Sequence, residues 1–316
     1  MQQGRVNLMY HFIINPKSSS GKGIRYWWTV KRELDNQEIP YTATFTKFVG
    51  HATQIAEQIC NSCDQIKRIV VLGGDGTVNE VINGFKSYKD ILLGYIPSGS
   101  SNDLARSLKI SKDPVKALER ILKPVRFEYL DHGKIEFLDQ DIPPRKFACS
   151  SGIGYDANVC FEVASSPLKK RLNRFGAGKL VYLAIAIKQV LTVKQTSGTV
   201  IIDGTKKDTY KKILLVSSMI HKYEGGGLAM APHANPTDGK LSVTMVHGMS
   251  KLKVIVLLPT ILFGKHIHFK GVETFDCSTI EIIADQKLAV HTDGETPAHS
   301  SHIKVNITQE KLRMIL

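Results

Sequence analysis

No apolar run in this chain approaches the roughly 20 residues that a membrane-crossing helix requires. The longest, Leu180 to Ile187 and Val254 to Phe263, fall well short, and Pro259 interrupts the second. A hydrophobic substrate would therefore have to be met at a surface. The opening Met1-Gln2-Gln3-Gly4-Arg5-Val6-Asn7 lacks the basic region, apolar core and cleavage site of a secretory leader, so a cytoplasmic location is expected. Cysteine is scarce: five residues, an odd and scattered set. That excludes a disulfide framework and points to reduced thiols. Cys60-Asn61-Ser62-Cys63 has CxxC spacing, but no second Cys or His pair follows at metal-ligand spacing, so zinc and redox chemistry are not expected. Internal repeats, low-complexity tracts, helix-turn-helix, zinc-finger and RNP-type motifs are all missing, and no nucleic-acid partner is expected. Acidic residues are outnumbered, 29 Asp+Glu against 42 Lys+Arg, for a formal charge of +13. Such a field favours polyanions or anionic lipid surfaces. At 316 residues the chain suits two domains, or one large one.

The most informative run is Gly73-Gly74-Asp75-Gly76-Thr77, which leaves the apolar stretch Ile69-Val70-Val71-Leu72 and enters a helical pattern from Thr77 to Gly84 through Asn79 and Glu80. Glycines let the main chain approach a polyphosphate closely, and the helix N-terminus behind them offers unpaired N–H groups. No Gly-Lys-Ser/Thr closes the turn, so it is not a Walker loop. Asp75 places a carboxylate where a phosphate is expected, which argues for a Mg²⁺-bridged phosphate.

Around this turn the first 125 residues alternate β and α. Strands are expected at Tyr10–Ile14, Tyr41–Thr46, Ile69–Leu72 and Ile91–Ile96. Helices are expected at Ile24–Asn36, His51–Cys60 and Pro114–Lys123, the last capped by Asp113. This pattern predicts a doubly wound α/β domain over 1–125, with ligands bound beyond the carboxyl ends of its strands. The loops at Asn15-Pro16, Gly73 and Pro97-Ser98-Gly99-Ser100-Ser101-Asn102-Asp103 all follow strands and should gather on one edge. From 126 to 302 short β segments dominate (126–130, 134–138, 146–150, 198–202, 210–217, 240–246 and 279–284), interrupted by a helical reading over 156–191. A larger antiparallel, β-sandwich-like domain is expected there, with about 303–316 free to return to the first.

The order Asn-Pro, Gly-Gly-Asp-Gly-Thr-x-Asn-Glu, Pro-x-Gly-Ser-x-Asn-Asp resembles the bacterial diacylglycerol kinase catalytic-domain family of soluble lipid kinases. These are related to sphingosine kinases and, more distantly, to NAD kinases. The resemblance continues through Gly152-Ile153-Gly154-Tyr155-Asp156-Ala157, Gly225-Gly226-Gly227, Ala231-Pro232, Asp238-Gly239-Lys240-Leu241 and Asp293-Gly294-Glu295. It implies an ATP- and Mg²⁺-dependent transfer of the γ-phosphate to a lipid hydroxyl. Asn15, Pro16, Thr46, Gly73, Gly74, Asp75, Gly76, Thr77, Asn79, Glu80 and Ser100 would line the nucleotide, with Asp75 and Asn79 organising phosphates and metal. Asp293 or Glu295 would accept the alcohol proton. Asp238 would ligate a structural Mg²⁺ with main-chain carbonyls near Asn235 and Lys240, although a β-turn at Asp238-Gly239 accounts for the same residues.

Family members usually carry Thr where Ser100 stands. They also commonly carry Asn near Ala148-Cys149-Ser150 and Met219-Ile220-His221, departures that bear on which lipid is accepted. The basic stretch Ser165-Ser166-Pro167-Leu168-Lys169-Lys170-Arg171-Leu172-Asn173-Arg174, with Lys179, suits either peripheral contact with an anionic membrane at its cytoplasmic face or a solvated helix face. An NAD-kinase-like enzyme, a non-catalytic nucleotide sensor and a homodimer stay open on the sequence.

Overall fold

The computed structural model describes residues 9–61, 66–165 and 178–316. They form two compact units, one running to Leu130 and regaining Glu310–Leu316, the other Asp131–Gln309. In the first unit, β1 (Tyr10–Ile14), α1 (Ser18–Asn36), β2 (Tyr41–Phe45), α2 (His51–Asn61), β3 (Lys67–Gly73), α3 (Asp75–Asn83), β4 (Ile91–Pro97), α4 (Asp103–Ser107) and α5 (Pro114–Leu122) follow in order. The strands β2-β1-β3-β4 pair in parallel. Ile69, Val70, Val71 and Leu72 are fully buried, as parallel strands covered on both faces require. Trp27, Val30 and Leu34 give α1 one buried stripe, and Trp27 packs 5.5 Å from the Phe12 ring. The Asp113 carboxylate accepts the Val115 N–H at 2.9 Å, with Pro114 opening α5.

Two segments lie elsewhere than the sequence reading placed them. Strand β5 (Phe127–Leu130) belongs to this first sheet, because it pairs antiparallel with β16 (Leu312–Ile315), which itself lies parallel to β4. The Ile303–Ile307 segment does not return with β16. It is the end of the long β15 (Glu295–Ile307) and stays in the second sheet, where pairing with its neighbours buries Ile303 and Val305.

The second unit comprises β6 (Gly133–Phe137), β7 (Arg145–Phe147), β8 (Ser150–Gly154), α6 (Tyr155–Ser165), α7 (Gly178–Thr192), β9 (Thr196–Ile202), β10 (Lys206–Ile213), β11 (Leu215–Met219), β12 (Leu241–Val246), α8 (Lys251–Ile261), β13 (Val272–Cys277), β14 (Thr279–Thr292) and β15. All its pairings are antiparallel, in the order β13-β12-β11-β8-β14-β15-β6-β7. β14 forks the sheet: its first half pairs β9, its second half pairs β8, and its register with β15 slips between Ile283 and Leu288. One apolar core, including Ile153, Val216, Ile280 and Ile303, fills the space between the strands. A second, including Val159, Val190, Leu215 and Leu257, lies under the three helices. The sequence pattern assigned no element to Lys251–Ile261, and the helix there holds Pro259 in its last turn.

Candidate active site

Three loops at the carboxyl ends of β1, β3 and β4 are tied together by side chains. Asn15 Nδ2 donates to Thr77 Oγ1 at 3.1 Å, and the Asn15 N–H bonds the Leu72 carbonyl at 2.8 Å. The hydroxyls of Ser18 and Ser98 lie 2.6 Å apart, those of Ser19 and Ser100 3.2 Å apart. The Ser98 N–H reaches the Gly73 carbonyl at 2.7 Å. Glycine is required where two loops cross: a Cβ on Gly99 would sit 2.5 Å from Gly74 Cα, and one on Gly73 would sit 2.6 Å from the Thr77 side chain. The loop after β1 turns through left-handed Ser19, Ser20 and Gly21 before α1 becomes regular. Pro16 accepts the Ile24 N–H, and the Thr46 N–H bonds the Ile14 carbonyl, so both flank the same strand end.

Asp75 has a second task that the sequence did not reveal. Its Oδ2 accepts the Asp103 N–H at 2.9 Å and its Oδ1 the Leu104 N–H at 3.3 Å, so it caps α4. Its carboxylate therefore neutralises the start of α4 instead of simply opposing an anion at the mouth of α3. Two expected contacts take a different place. Asn79 is fully buried, its Oδ1 3.3 Å from Asn83 Nδ2, because α3 turns that face into the core. Glu80 Oε2 accepts the Ala52 N–H at 3.0 Å and so holds α2 to α3. Gly76 and Thr77 lie in the first turn of α3, and Ser100 is exposed.

In the second unit, Asp293-Gly294 is the two-residue turn joining β14 to β15, both residues at positive φ (48° and 84°). Asp-Gly between paired strands is the ordinary hairpin signal. The Asp293 carboxylate accepts three backbone N–H groups, from Ala148 and Cys149 at 2.7 Å and Ser150 at 3.0 Å. Glu295 lies 3.1 Å from the Arg145 guanidinium, both groups partly exposed. Behind the turn, fully buried His291 directs Nε2 at Glu224 (2.9 Å) and Asp156 (3.3 Å), while its Nδ1 faces the Gly294 N–H at 3.4 Å. Burial alone would push the His291 imidazolium down, but Glu224, Cys160 and Asp156 outweigh it and hold its pKa well above the ordinary value. Burial raises the Asp156 carboxyl, against the pull of His291. Cys160, Glu224 and His291 bring ligand atoms within 4.8 Å of one another. A pKa held that high keeps His291 an imidazolium, however, which has no lone pair for a metal and suits a donor to the two carboxylates. Asp156 and Glu224 also belong to the lining of a mostly apolar cavity, with Val159, Leu215, Met230, Val254 and Leu257. This cluster joins β14, α6 and the segment after β11, a meeting that no local pattern announces.

Asp238 Oδ1 accepts the Lys240 N–H at 3.0 Å, and Asn235 Oδ1 accepts the Thr237 N–H at 3.2 Å. Both side chains thus close local turns, the β-turn account of this segment. Cys63 and the basic run from Ser166 to Arg174 lie outside the described residues, as does the Lys179 side chain. Cys60, Cys149, Cys160 and Cys277 are unbridged. Among the described residues no helix is long and apolar enough to cross a membrane.

A doubly wound unit with glycine-rich strand-end loops, followed by an antiparallel β-sandwich-like unit, is the architecture of a class of kinases. Residues 9–134 match the family model described as the diacylglycerol kinase catalytic domain, and residues 150–315 match the YegS C-terminal NAD kinase beta sandwich-like domain. The chain is 32% identical, over 90% of its length and 93% of the relative's, to a Bacillus subtilis protein named "Putative lipid kinase YtlR". It is 28% identical to the diacylglycerol kinase of Mycobacterium tuberculosis strain H37Rv, over 75% of each chain. A solved structure of a diacylglycerol kinase from Bacillus anthracis strain Sterne shares the fold, with a TM-score of 0.69 and 20% identity over 98% of this chain and 96% of that one. The chain belongs to the diacylglycerol kinase–YegS kinase family.

Proposed function

We propose that the protein transfers the γ-phosphate of ATP to the hydroxyl of a membrane lipid, diacylglycerol or a near relative, at the cytoplasmic face. The observation that carries this reading is the joining of the Asn15, Gly73 and Pro97 loops by Asn15–Thr77, Ser18–Ser98 and Asp75–Asp103 contacts in a chain of this kinase family. Close glycine backbones and serine hydroxyls suit a polyphosphate. The donors nearby, the Asp75 carboxylate and the hydroxyls of Thr77 and Ser100, are hard oxygens of the kind Mg²⁺ takes. Bound there by Asp75, Mg²⁺ would neutralise phosphate charge.

The chain's own residues supply positioning. Gly73, Gly74 and Gly76 admit the phosphates, and Asn15, Pro16, Thr46, Thr77 and Ser100 shape the nucleotide's surroundings. Asn79 and Glu80 act from behind, by fixing α3. In the second unit the apolar cavity receives the lipid tail, and the Asp293-Gly294-Glu295 hairpin takes the alcohol proton. An ordinary carboxylate is a weak base, so proton removal runs late, as the new P–O bond forms. Glu295 is the cleaner residue to test. An Asn at 293 would keep one oxygen for Cys149 and Ser150 but turn its amide NH2 toward the Ala148 N–H, and so disturb the turn itself. A structural Mg²⁺ at Asp238, Asn235 and Lys240 belongs to the same reading, and its test is whether chelator lowers the melting temperature.

Purified protein, γ-labelled ATP, Mg²⁺ and mixed micelles of diacylglycerol, phosphatidylglycerol, undecaprenol or a sphingoid base test the transfer. Label should enter one lipid class, and Glu295→Gln should lower the rate at least a hundredfold with an unchanged melting curve. Transfer to no lipid, with ATP binding intact, would leave a nucleotide sensor.

A further inference from the structure

We propose that α8 and the turn that follows it form the surface by which the protein docks on an anionic bilayer. The proposal rests on the lipid-kinase reading for its purpose, but its evidence is separate. The segment Lys251-Leu252-Lys253-Val254-Ile255-Val256-Leu257-Leu258-Pro259-Thr260-Ile261-Leu262-Phe263 is apolar on every side once its two lysines are passed. A helix of that kind is stable when it is buried all round or faces an apolar medium. This one is buried on one side only. Val254, Leu257 and Ile261 enter the core beneath the helices. On the other side Leu252, Val256, Leu262 and Phe263 are 73%, 60%, 56% and 76% exposed. Leu252, Val256 and exposed Pro259 stand at i, i+4 and i+7 of the helix and so share one stripe, and exposed Leu262 and Phe263 follow in the turn after it. Leu191, at the end of α7, is also exposed, and its carbonyl accepts from Lys251 Nζ, which extends the apolar area past the start of the helix. Contiguous apolar surface of this kind marks an interaction site.

Charge identifies the occupant. From Gly239 to Val272 the sequence has no Asp or Glu, while Lys251, Lys253, Lys265 and Lys270 bracket the apolar stripe. Lys253, Lys265 and Lys270 are exposed. Apolar side chains flanked by lysines match a bilayer with anionic headgroups: the stripe enters the acyl boundary and the lysines stay at the phosphates. The helix also has two working faces. Val254 and Leu257, opposite the stripe, line the same apolar cavity as Asp156 and Glu224. One helix therefore separates the membrane from the cavity proposed for the lipid tail, and a lipid has only to pass its flank. Ser250 fixes where the helix begins, its Oγ accepting the Lys253 N–H at 3.5 Å.

Vesicle sedimentation of the full chain tests this without any phosphate transfer, so a failed kinase assay would leave the result standing. The wild type should bind vesicles containing about one-third phosphatidylglycerol at least tenfold better than pure phosphatidylcholine vesicles, and raised salt should weaken that binding. Leu252→Ser/Val256→Ser/Phe263→Ser should lower the bound fraction at least tenfold with an unchanged melting curve. Lys251→Glu/Lys253→Glu, which leaves the apolar stripe intact, should lower it as well and remove much of the salt dependence. Undiminished binding by the triple variant would overturn the proposal. So would failure of the wild type to bind either vesicle, or a wild-type dimer that the triple substitution converts to a monomer, since a second copy would then be what covers the stripe.

Discussion

Asp75 and His221 show how much one side chain can carry in this protein. Asp75 ties the glycine turn to α4 through two backbone N–H groups, so its removal has two consequences. Asp75→Asn should abolish turnover and also cost about 1–3 kcal/mol of stability, because an amide nitrogen would face a donor that has lost its acceptor. Urea unfolding monitored beside ATP turnover separates the two. His221 is fully buried and burial holds it down at about 4, against 6.5 for an ordinary histidine. Its Nδ1 has no hydrogen-bond partner among the described residues. The unfolded chain takes up the proton first, so this stability is present above about pH 6.5 and is lost as pH falls toward 4. The gap of about 2.5 units corresponds to roughly 3 kcal/mol. His221→Leu should flatten the acid limb of the stability–pH curve by that amount. Equal acid sensitivity in both proteins would contradict the burial argument. The sequence marked His221 only as a departure from its family, because nothing local shows that the residue is buried.

Elements were legible where their causes are local. The parallel strands β1, β3 and β4 are short apolar runs ended by polar loops, and α5 carries Asp113 and Pro114 at its start. Elements whose causes are distant were not. β5 and the Ile303–Ile307 segment each read as a strand, but only pairing decides the sheet to which a strand belongs. α8 was not read as an element, because apolar residues at nearly every position leave no helical period to find. At this scale the loop crossing is the feature to test. Gly99→Ala should destabilise the first unit by about 1–3 kcal/mol, because its Cβ would meet Gly74 backbone at 2.5 Å and no rotamer can relieve that contact. ATP affinity should fall with it. A variant with wild-type stability and ATP affinity would mean that the two loops need not lie so close.

For the whole molecule, the two-part organisation and the gathering of loops at strand ends followed from the β–α alternation, and the structure joins those loops through named contacts. The second unit was less legible. The Asp293 hairpin, with its three backbone donors, and the His291–Glu224–Asp156 cluster bring together residues more than 60 positions apart, and no spacing rule reports such meetings. What the molecule does as a whole is tested most directly in one tube holding γ-labelled ATP, Mg²⁺, diacylglycerol micelles and free NAD. The account predicts label in the organic phase, with one ADP formed per labelled lipid. Label in the aqueous dinucleotide, or ADP formed with no labelled lipid, would contradict it.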